Sequence, residues 1–402
     1  MSDPRIFYGW FVVAGAFAVT FIGFGSAYSF SAFLIPLQHD FAASRGSVSL
    51  VFSLAGFFYF GLGVITGPLA DRWGAKGLAV TGMILIGIGL AAASVARSLI
   101  EVYLAYGLGV GLGIGCSYVP AVGAVQRWFV RRRGFASGLA VSGIGVGTLV
   151  VPPVASLLIA TLGWRETYLA FGIFCAVAGG AMALLIEDDP SRRGLAADGD
   201  TAGSSAPAGV PAEAALAKVF TSRRFIGLYA ACFICSFGLF VPFVHLVPYA
   251  LDHGVAQSAA VLLVGAIGVG STAGRFLLGG LADRLGRPLS FLLMFVGMGC
   301  SFVIWFFSVS LAPLVLFALA YGVFYGGFVA LAPAVVIDYF GGRRASSLIG
   351  ILYTSVAFGT LIGPSAAGFA FDVSRSYTLP ILLSVGAYAV ASAVLAATSK
   401  AA

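Results

Sequence analysis

Charged residues are scarce in this chain. Only 9% of its 402 residues are Asp, Glu, Lys or Arg, whereas 60% are hydrophobic. A soluble domain carries about 25% charged residues, so this composition excludes an ordinary soluble protein. The mean hydropathy of +1.03 and the recurrence of long apolar runs predict an integral membrane protein instead.

Sequence motifs for catalysis are also missing. The sequence has no Walker motif, no cluster of metal-ligating residues and no plausible nucleophile–base pair. An ATP-driven pump or a membrane enzyme would need one of these, so we predict neither catalytic residues nor a metal or other cofactor. The five cysteines all fall in apolar runs, and Cys232 and Cys235 form a C-x-x-C without a second pair. This pattern favours small core residues over redox or metal chemistry.

Apolar runs of about 20 or more residues fill most of the chain and predict twelve transmembrane helices. They cover roughly 8–37, 46–70, 77–96, 100–126, 134–161, 166–186, 225–250, 256–281, 289–308, 312–337, 345–371 and 377–398. The first run is longer than the core of a signal peptide and has no convincing cleavage site. We expect an all-α integral membrane protein whose twelve transmembrane helices form two pseudo-symmetric six-helix halves.

A polar stretch separates the two groups of six runs. It extends from Glu187 to Arg224 and is rich in Gly, Ala, Ser and Pro between Ala202 and Ala212, as flexible linkers are. We therefore expect a first half over 1–187, a cytoplasmic linker over 188–224 and a second half over 225–402.

The distribution of basic residues predicts the orientation of the chain. The net charge of +7 is explained by the excess of Lys and Arg in cytoplasmic loops, rather than by binding to nucleic acid. One side of the predicted membrane carries Arg5, Arg72, Lys76, Arg127, Arg131, Arg132, Arg133, Arg192, Arg193, Lys218, Arg223, Arg224, Arg284, Arg287, Arg343, Arg344 and Lys400. The other side carries only Arg45, Arg97, Arg165 and Arg375. We expect a multi-pass protein of the inner (plasma) membrane with both termini in the cytoplasm.

Arg275 is the only charged residue in the apolar run from Ala256 to Leu281. It precedes Asp283, at the predicted end of the span, by roughly 12 Å of helix, which puts it near the bilayer midplane. A charge at that depth is costly and normally faces a polar interior with a partner. A guanidinium offers a fixed fork of donors that matches a carboxylate, so the sequence predicts a transporter of an organic anion. Ser271 lies one helical turn before Arg275 and shares its face, and we predict a substrate contact there.

The two halves share short elements at one offset. The element G-P-L-A-D-R-W-G at 67–74 matches G-G-L-A-D-R-L-G at 279–286, and G-T-L-V-V-P at 147–152 matches G-T-L-I-G-P at 359–364. Both pairs are separated by 212 residues (279 − 67 and 359 − 147). Two halves with repeat symmetry are typical of secondary transporters, whose site lies near the midplane between the repeats. The Asp–Arg pairs of the first element are Asp71 with Arg72 and Asp283 with Arg284.

The repeated G-x-L-A-D-R-x-G element resembles the signature loop of the major facilitator superfamily, and this resemblance covers the whole chain. It gives Asp71, Arg72, Asp283 and Arg284 a structural or gating role at helix ends. A narrower resemblance rests on Y-G-W at 8–10, on W-F-V-R-R-R-G-F-A-S-G-L-A at 128–140 and on Arg275 in the eighth span. These residues resemble the monocarboxylate transporters and their bacterial relatives, including the oxalate/formate exchangers.

This narrower resemblance implies alternating-access transport of small monocarboxylates such as lactate or pyruvate, often together with a proton. Two positions depart from it. Many animal members have a lysine in the first span, where our alignment puts Tyr28, and an aspartate where this chain has Ser271. Both groups serve in the family's proton-coupling models, so proton coupling by that route is not expected here. Tyr28 is instead a candidate substrate contact.

Three further tyrosines are candidate substrate contacts. Tyr118 lies nine residues before Arg127 and Tyr353 nine residues after Arg344, so each is roughly 14 Å from a predicted cytoplasmic boundary and near the midplane. Tyr325 is mid-span by the same counting. A phenol supplies a hydroxyl donor and an apolar face, which suits a small acid with a short carbon tail. Packing between helices is the alternative for each of these residues.

His245 is the only histidine inside a predicted span, between Pro242 and Pro248. The prolines free backbone groups, and histidine is the side chain best suited to proton exchange near neutral pH. We consider it the candidate for proton coupling; a packed neutral histidine is the equal alternative. A different pattern, Gly107, Gly111 and Gly115 at i+4 spacing, predicts a helix face that packs closely on a neighbour.

The sequence thus favours a secondary transporter of a small organic anion, driven by a proton or counter-substrate gradient, acting in the lipid bilayer as a monomer and not as an enzyme. The runner-up is a multidrug or other solute exporter of the same fold, in which the 35 Phe would line an apolar pocket and Arg275 would be structural. A carboxylate exchanger and a signalling sensor on a transporter fold are further alternatives; the short tails disfavour the sensor.

Overall fold

The structure is a computed structural model that describes residues 7–129, 132–199, 219–340 and 345–399. Within these ranges twelve helical segments are long and apolar enough to cross a membrane, which confirms the predicted fold class. In chain order, α1 to α12 are Gly9–Asp40, Arg45–Ala70, Ala75–Ser94, Leu99–Trp128, Phe135–Leu162, Trp164–Ala183, Arg223–Asp252, Gln257–Leu278, Arg287–Phe306, Leu311–Phe340, Leu348–Ser374 and Thr378–Thr398. Four helices extend beyond these bounds. Helices α2 and α8 continue to Trp73 and Leu285, and helices α5 and α11 begin earlier, at Arg133 and Ala345.

The bundle has two ends. We call the end of the bundle at which α6 ends and α7 begins the linker end. The opposite end, where α1 is followed by α2 and α7 by α8, is called the far end. A segment of the predicted linker is ordered against the first half. Pro190–Arg193 forms a 3₁₀ turn, and the Arg127 Nη2 donates to the Asp188 Oδ1 at 3.1 Å. Residues 200–218 of the predicted linker lie outside the described ranges.

The side chains just before and within that turn form a charged cluster. Arg193 pairs with Glu187 at 2.6 Å, and this hydrogen bond holds the pKa of the Glu187 carboxyl below its usual value. The Arg193 guanidinium also lies 3.5 Å from the ring centroid of Tyr8. Of the predicted signature residues, Arg72 is exposed, whereas the side chains of Asp71, Asp283 and Arg284 lie outside the described part of the structure.

Among the spans whose helix is interrupted, α1 and α7 are broken near mid-membrane at corresponding places in the two halves. The helix of α1 is interrupted at Ser29, directly after Tyr28, and that of α7 at Phe240. The two interrupted residues are 211 residues apart (240 − 29), within one residue of the repeat offset of 212. In α7 the cause is Pro242, which has no N–H and clashes with the preceding turn. In α1 the Ser29 Oγ donates back to the Ser26 carbonyl at 2.7 Å, a bond that bends helices. Irregular backbone at this depth is tolerated where it lines an internal cavity.

The halves meet along two long helix pairs, α2 with α11 and α5 with α8. Glycine permits the closest approaches. A Cβ on Gly268 of α8 would lie 2.6 Å from the Gly145 carbonyl oxygen of α5, and a Cβ on Gly368 of α11 would lie 2.7 Å from the Gly46 Cα of α2. Backbones in this contact leave no room for side chains, as at other membrane helix interfaces rich in small residues. The predicted close-packing face of α4 is confirmed, because Cβ atoms on Gly107, Gly111 and Gly115 would lie about 3 Å from α2.

Candidate functional site

A small cavity lies between the two halves. Its walls come from both halves and comprise Phe24, Tyr28, Phe60, Tyr118, Ile144, Leu239, Phe240, Tyr325, Phe328, Val329, Tyr353 and Val356. Ile144 and Val356 are again 212 residues apart (356 − 144), so the repeat symmetry passes through the cavity. Its volume is about 20 Å³, little more than the space that one water molecule needs. The cavity is therefore closed around its side chains in this structure.

Arg275 lies buried beside this cavity, on α8, and only 6% of it is exposed. Its Nε, Nη1 and Nη2 atoms have no hydrogen-bond partner among the described residues. The guanidinium interacts electrostatically with Tyr325, Tyr118, Tyr28 and Tyr353. A buried charge is normally paired, so these three unpartnered nitrogens could donate hydrogen bonds to a bound anion.

Close packing of α8 on α10 determines where Arg275 lies. A Cβ on Gly274 would clash with the Val323 carbonyl oxygen, and a Cβ on Gly326 would clash with the Ser271 carbonyl oxygen. The backbones of the two helices thus touch at Ser271 and Gly274, in the turn that precedes Arg275, and this packing holds the guanidinium near Tyr325. Ser271 is 2% exposed and its Oγ also has no hydrogen-bond partner among the described residues, so the i, i+4 pair brings two free polar groups to one place.

The four predicted tyrosines come together around Arg275. Tyr28 of the first half and Tyr325 of the second share a hydrogen bond of 3.1 Å between their hydroxyl groups. The hydroxyls of Tyr118 and Tyr353, again from different halves, interact with each other. The candidate substrate contacts therefore form two tyrosine pairs that join the halves across the cavity.

Tyr59 belongs to the same group and was missed by the sequence analysis. It is 3% exposed, its hydroxyl is buried without a hydrogen-bond partner among the described residues, and its ring lies 5.7 Å from that of Phe24. Its hydroxyl interacts electrostatically with that of Tyr325. The available signal was its mid-span position in α2, the criterion that selected Tyr118.

His245 is not part of the cavity wall. It is fully buried in the far-end half of α7, where its Nε2 lies 2.8 Å from the Pro364 carbonyl oxygen and its Nδ1 lies 3.1 Å from the Tyr377 hydroxyl. The Ser49 Oγ is 3.4 Å from Nε2. Because a carbonyl oxygen only accepts, Nε2 carries the proton of the neutral ring and Nδ1 accepts the Tyr377 proton.

Tyr377 connects His245 to an ionic contact that closes the far end. The Arg45 Nη1 donates to the Tyr377 hydroxyl at 3.1 Å, and Arg45 forms a two-pronged pair with Asp252 at 2.5 and 2.8 Å. The Asp372 carboxylate accepts from the Arg45 and Gly46 backbone N–H groups at 3.0 and 2.9 Å. We call His245, Tyr377, Arg45, Asp252 and Asp372 the far-end network. It ties α2 of the first half to α7 and α11 of the second.

Twelve spans in two symmetric halves around a central, charge-bearing cavity define a secondary membrane transporter. The sequence pattern of the Major Facilitator Superfamily matches residues 16–311 and 232–400. The chain belongs to this superfamily.

Curated relatives agree with this assignment. The chain is 30% identical to monocarboxylate transporter 11 of Homo sapiens over 94% of this chain and 80% of that protein. It is also 30% identical to monocarboxylate transporter 12 of Rattus norvegicus over 95% of this chain and 83% of that protein, and to monocarboxylate transporter 3 of Rattus norvegicus over 98% and 80%. The resemblance to monocarboxylate transporters is therefore confirmed.

A solved structure supports the fold. A bacterial homolog of the human lysosomal transporter Spinster, in an inward-facing and occupied conformation, superposes with a TM-score of 0.73. The alignment covers 100% of this chain and 98% of that chain at 15% identity. At that identity the likeness concerns the fold alone.

Proposed function

We propose that this protein is a secondary active transporter of small monocarboxylates, which it carries by alternating access of the central cavity to the two sides of the membrane. The observation that supports this proposal most is the buried Arg275 guanidinium, whose nitrogens have no hydrogen-bond partner among the described residues. A single carboxylate supplies the missing charge and the acceptors in one group. The linker end is the cytoplasmic one, as the distribution of basic residues indicates.

The alternative exporter of neutral solutes is less well supported. It would make Arg275 a structural residue, and a structural arginine in a membrane donates to backbone carbonyls or to an acid. None of its nitrogens does so among the described residues. Symport would move an ion together with the substrate and exchange would move a second substrate in the opposite direction; both would use this site.

Uptake by purified protein in proteoliposomes tests the proposal. Labelled lactate and pyruvate should enter vesicles that contain the protein faster than protein-free vesicles. Preloading with unlabelled acid separates exchange, which needs internal substrate, from symport, which does not. A protein that moves neutral drugs and no monocarboxylate would refute the proposal.

We further propose that His245 couples transport to protons through the far-end network. Protonation of Nδ1 would turn an accepted hydrogen bond into a donated one, toward a Tyr377 oxygen that already accepts from Arg45. It would also add a positive charge near Arg45, within range of Asp372. Proton binding should therefore loosen the far-end closure between the halves.

The coupling is tested with an imposed pH gradient. We expect an inward proton gradient to stimulate uptake, and His245→Gln to lower that stimulation more than it lowers substrate binding. His39→Gln, at the exposed far-end terminus of α1, is the matched control. Equal stimulation in wild type and His245→Gln would refute coupling through His245 and favour exchange or a proton carried by the substrate.

A further inference from the structure

Few charged side chains lie in the membrane interior among the residues that the structure describes. Arg275 is the one charged side chain at the cavity among the described residues, and the twelve lining residues include no acidic or basic side chain. The described carboxylates all lie at the ends of spans or in the linker: Asp40, Glu101, Glu166, Glu187, Asp188, Asp189, Asp198, Asp252, Asp338 and Asp372. Among the side chains that the structure describes, a substrate ammonium group would find no carboxylate at the cavity, and a second substrate carboxylate would find no second cation.

The remaining polar groups of the cavity are largely engaged with each other. The Tyr28 and Tyr325 hydroxyls are hydrogen-bonded, and those of Tyr118 and Tyr353 interact. The free polar atoms at the cavity are concentrated at Arg275 and its neighbour Ser271, whereas the Tyr59 hydroxyl interacts with that of Tyr28. The end of the site at Arg275 and Ser271 is therefore suited to a polar group of the substrate. A polar group elsewhere on the substrate would be desolvated without gaining a hydrogen-bond partner.

Aromatic rings dominate the rest of the wall. Eight of the twelve lining residues are Phe or Tyr, and the other four are Ile, Leu or Val. Several rings already meet edge to face: Phe24 and Tyr118 have centroids 5.1 Å apart at 84°, and Phe240 and Tyr325 are 6.2 Å apart at 79°. When the halves separate, these edges and faces become available to a planar apolar body in the geometries that aromatic pairs prefer.

We infer that the preferred substrate is a monocarboxylate whose body is apolar and carries an aromatic ring. Its carboxylate pairs with Arg275 and its ring inserts among Phe24, Phe60 and Phe240. Zwitterionic amino acids and dicarboxylates are rejected because their additional charge has no partner. This inference rests on the proposed monocarboxylate transport and narrows it.

Four acids that differ by one group each test the inference in proteoliposomes. Relative to lactate, 3-phenyllactate adds a ring and malate adds a carboxylate; relative to phenyllactate, phenylalanine exchanges the hydroxyl for an ammonium group. Passive entry is subtracted with protein-free vesicles and with vesicles that contain Arg275→Ala. We expect kcat/KM for phenyllactate to exceed that for lactate at least tenfold, with malate and phenylalanine at background.

The outcomes separate this inference from the proposed function. Lactate carried as well as or better than phenyllactate would overturn the ring preference and leave monocarboxylate transport standing. Transport of malate or phenylalanine at the rate of phenyllactate would overturn the inferred rejection of substrates with an additional charge. No carriage of any acid by folded protein would overturn both the inference and the proposed function.

A ring-deletion variant gives a second readout. Phe60 packs 5.8 Å from Tyr353 and 5.5 Å from Phe240 between ring centroids, and Phe60→Leu keeps an apolar side chain while removing the ring. The ratio of kcat/KM for phenyllactate over lactate should fall at least fivefold. Phe174→Leu, at a position that is exposed on the outer surface of α6, should leave the ratio unchanged. An unchanged ratio in Phe60→Leu would overturn the role of the aromatic wall.

Discussion

At the scale of single residues, Arg275 is the costliest feature of the membrane interior. Holding a guanidinium there without a partner costs several kcal/mol, and neither Ser271 nor the nearby tyrosines neutralises it. Its retention is explained if a substrate carboxylate offsets that cost during each transport cycle. The tyrosines supply hydroxyl groups around the charge without competing for it as an acid would.

Replacing Arg275 tests this directly. Arg275→Ala should weaken carboxylate binding by about 2–5 kcal/mol, the usual loss when one member of a buried charged pair is removed, and uptake should fall to background. Arg275→Lys should also abolish uptake, because lysine keeps the charge but loses the two-pronged fork. Binding and uptake are measured in proteoliposomes, with Arg97→Ala at an exposed far-end position as the control. Near-normal uptake by Arg275→Ala would remove the central proposal.

The Tyr118 hydroxyl should contribute a smaller amount. Tyr118→Phe removes one hydroxyl at the cavity and should weaken binding by about 1 kcal/mol, the typical worth of one hydrogen bond. Tyr229→Phe is the matched control, because its hydroxyl bonds to Thr354 at 3.0 Å and neither residue lines the cavity. The same affinity in Tyr118→Phe and wild type would show that Tyr118 only packs between helices.

At the scale of elements, the start of α2 carries the contacts that join the two halves at the far end. Its first backbone N–H groups, which an α-helix leaves without internal acceptors, donate to Asp372 of the other half. Its first side chain, Arg45, pairs with Asp252 at the end of α7 and lies 4.0 Å over the Phe371 ring. Opening the far end requires these contacts to break together, so they set the stability of the closed state.

Breaking the Arg45–Asp252 pair should favour opening of the far end. The pair is partly exposed, so its loss is worth about 1 kcal/mol, roughly a fivefold shift toward the open state. The readout is the labelling rate of Ser53→Cys by a membrane-impermeant maleimide, after Cys116 and Cys300 are replaced by serine. Arg45→Ala should accelerate labelling, and exchange of the two residues (Arg45→Asp with Asp252→Arg) should restore part of the wild-type rate.

The chain offers a matched control for that experiment. Arg165 and Asp40 form an ion pair of 2.8 Å at the same end, but both belong to the first half. Arg165→Ala should therefore leave the labelling rate of Ser53→Cys unchanged. Equal acceleration by Arg165→Ala and Arg45→Ala would show that the far-end network does not hold the halves together.

At the scale of the whole molecule, the proposed alternating access requires the two halves to move relative to each other around the cavity. The contacts between the halves are of the kind that can separate: glycine faces, tyrosine pairs and a partly exposed ionic network. Ser53 of α2 and Ser365 of α11 mark one such contact, with 2.8 Å between their hydroxyl oxygens.

A covalent bond at this contact should stop transport. In a background without the native cysteines, Ser53→Cys with Ser365→Cys should form a disulfide on oxidation, lose uptake and regain it with reductant. Each single cysteine variant should transport under both conditions. Full uptake by the cross-linked protein, verified by its shifted mobility after cleavage in the linker, would contradict alternating access at this interface.

The sequence alone determined the class of this protein, its twelve spans, its repeat and the mid-span position of Arg275. Hydropathy and the depth of an isolated charge can be taken from the sequence, because the length of an apolar run and the place of a charge within it do not depend on which helices lie nearby. The spacing of Tyr118 and Tyr353 from basic residues gave their depth for the same reason.

Only the tertiary structure decided which of these groups meet. Tyr28 pairs with Tyr325 across 297 residues of sequence, Tyr59 joins them, and His245 lies in the far-end network instead of the cavity wall. Sequence could not assign these positions, because membrane helices are apolar on every side and their pattern does not mark the face toward the cavity. The rotation of each helix is fixed by packing, as at the glycine contact between α8 and α10 that directs Arg275.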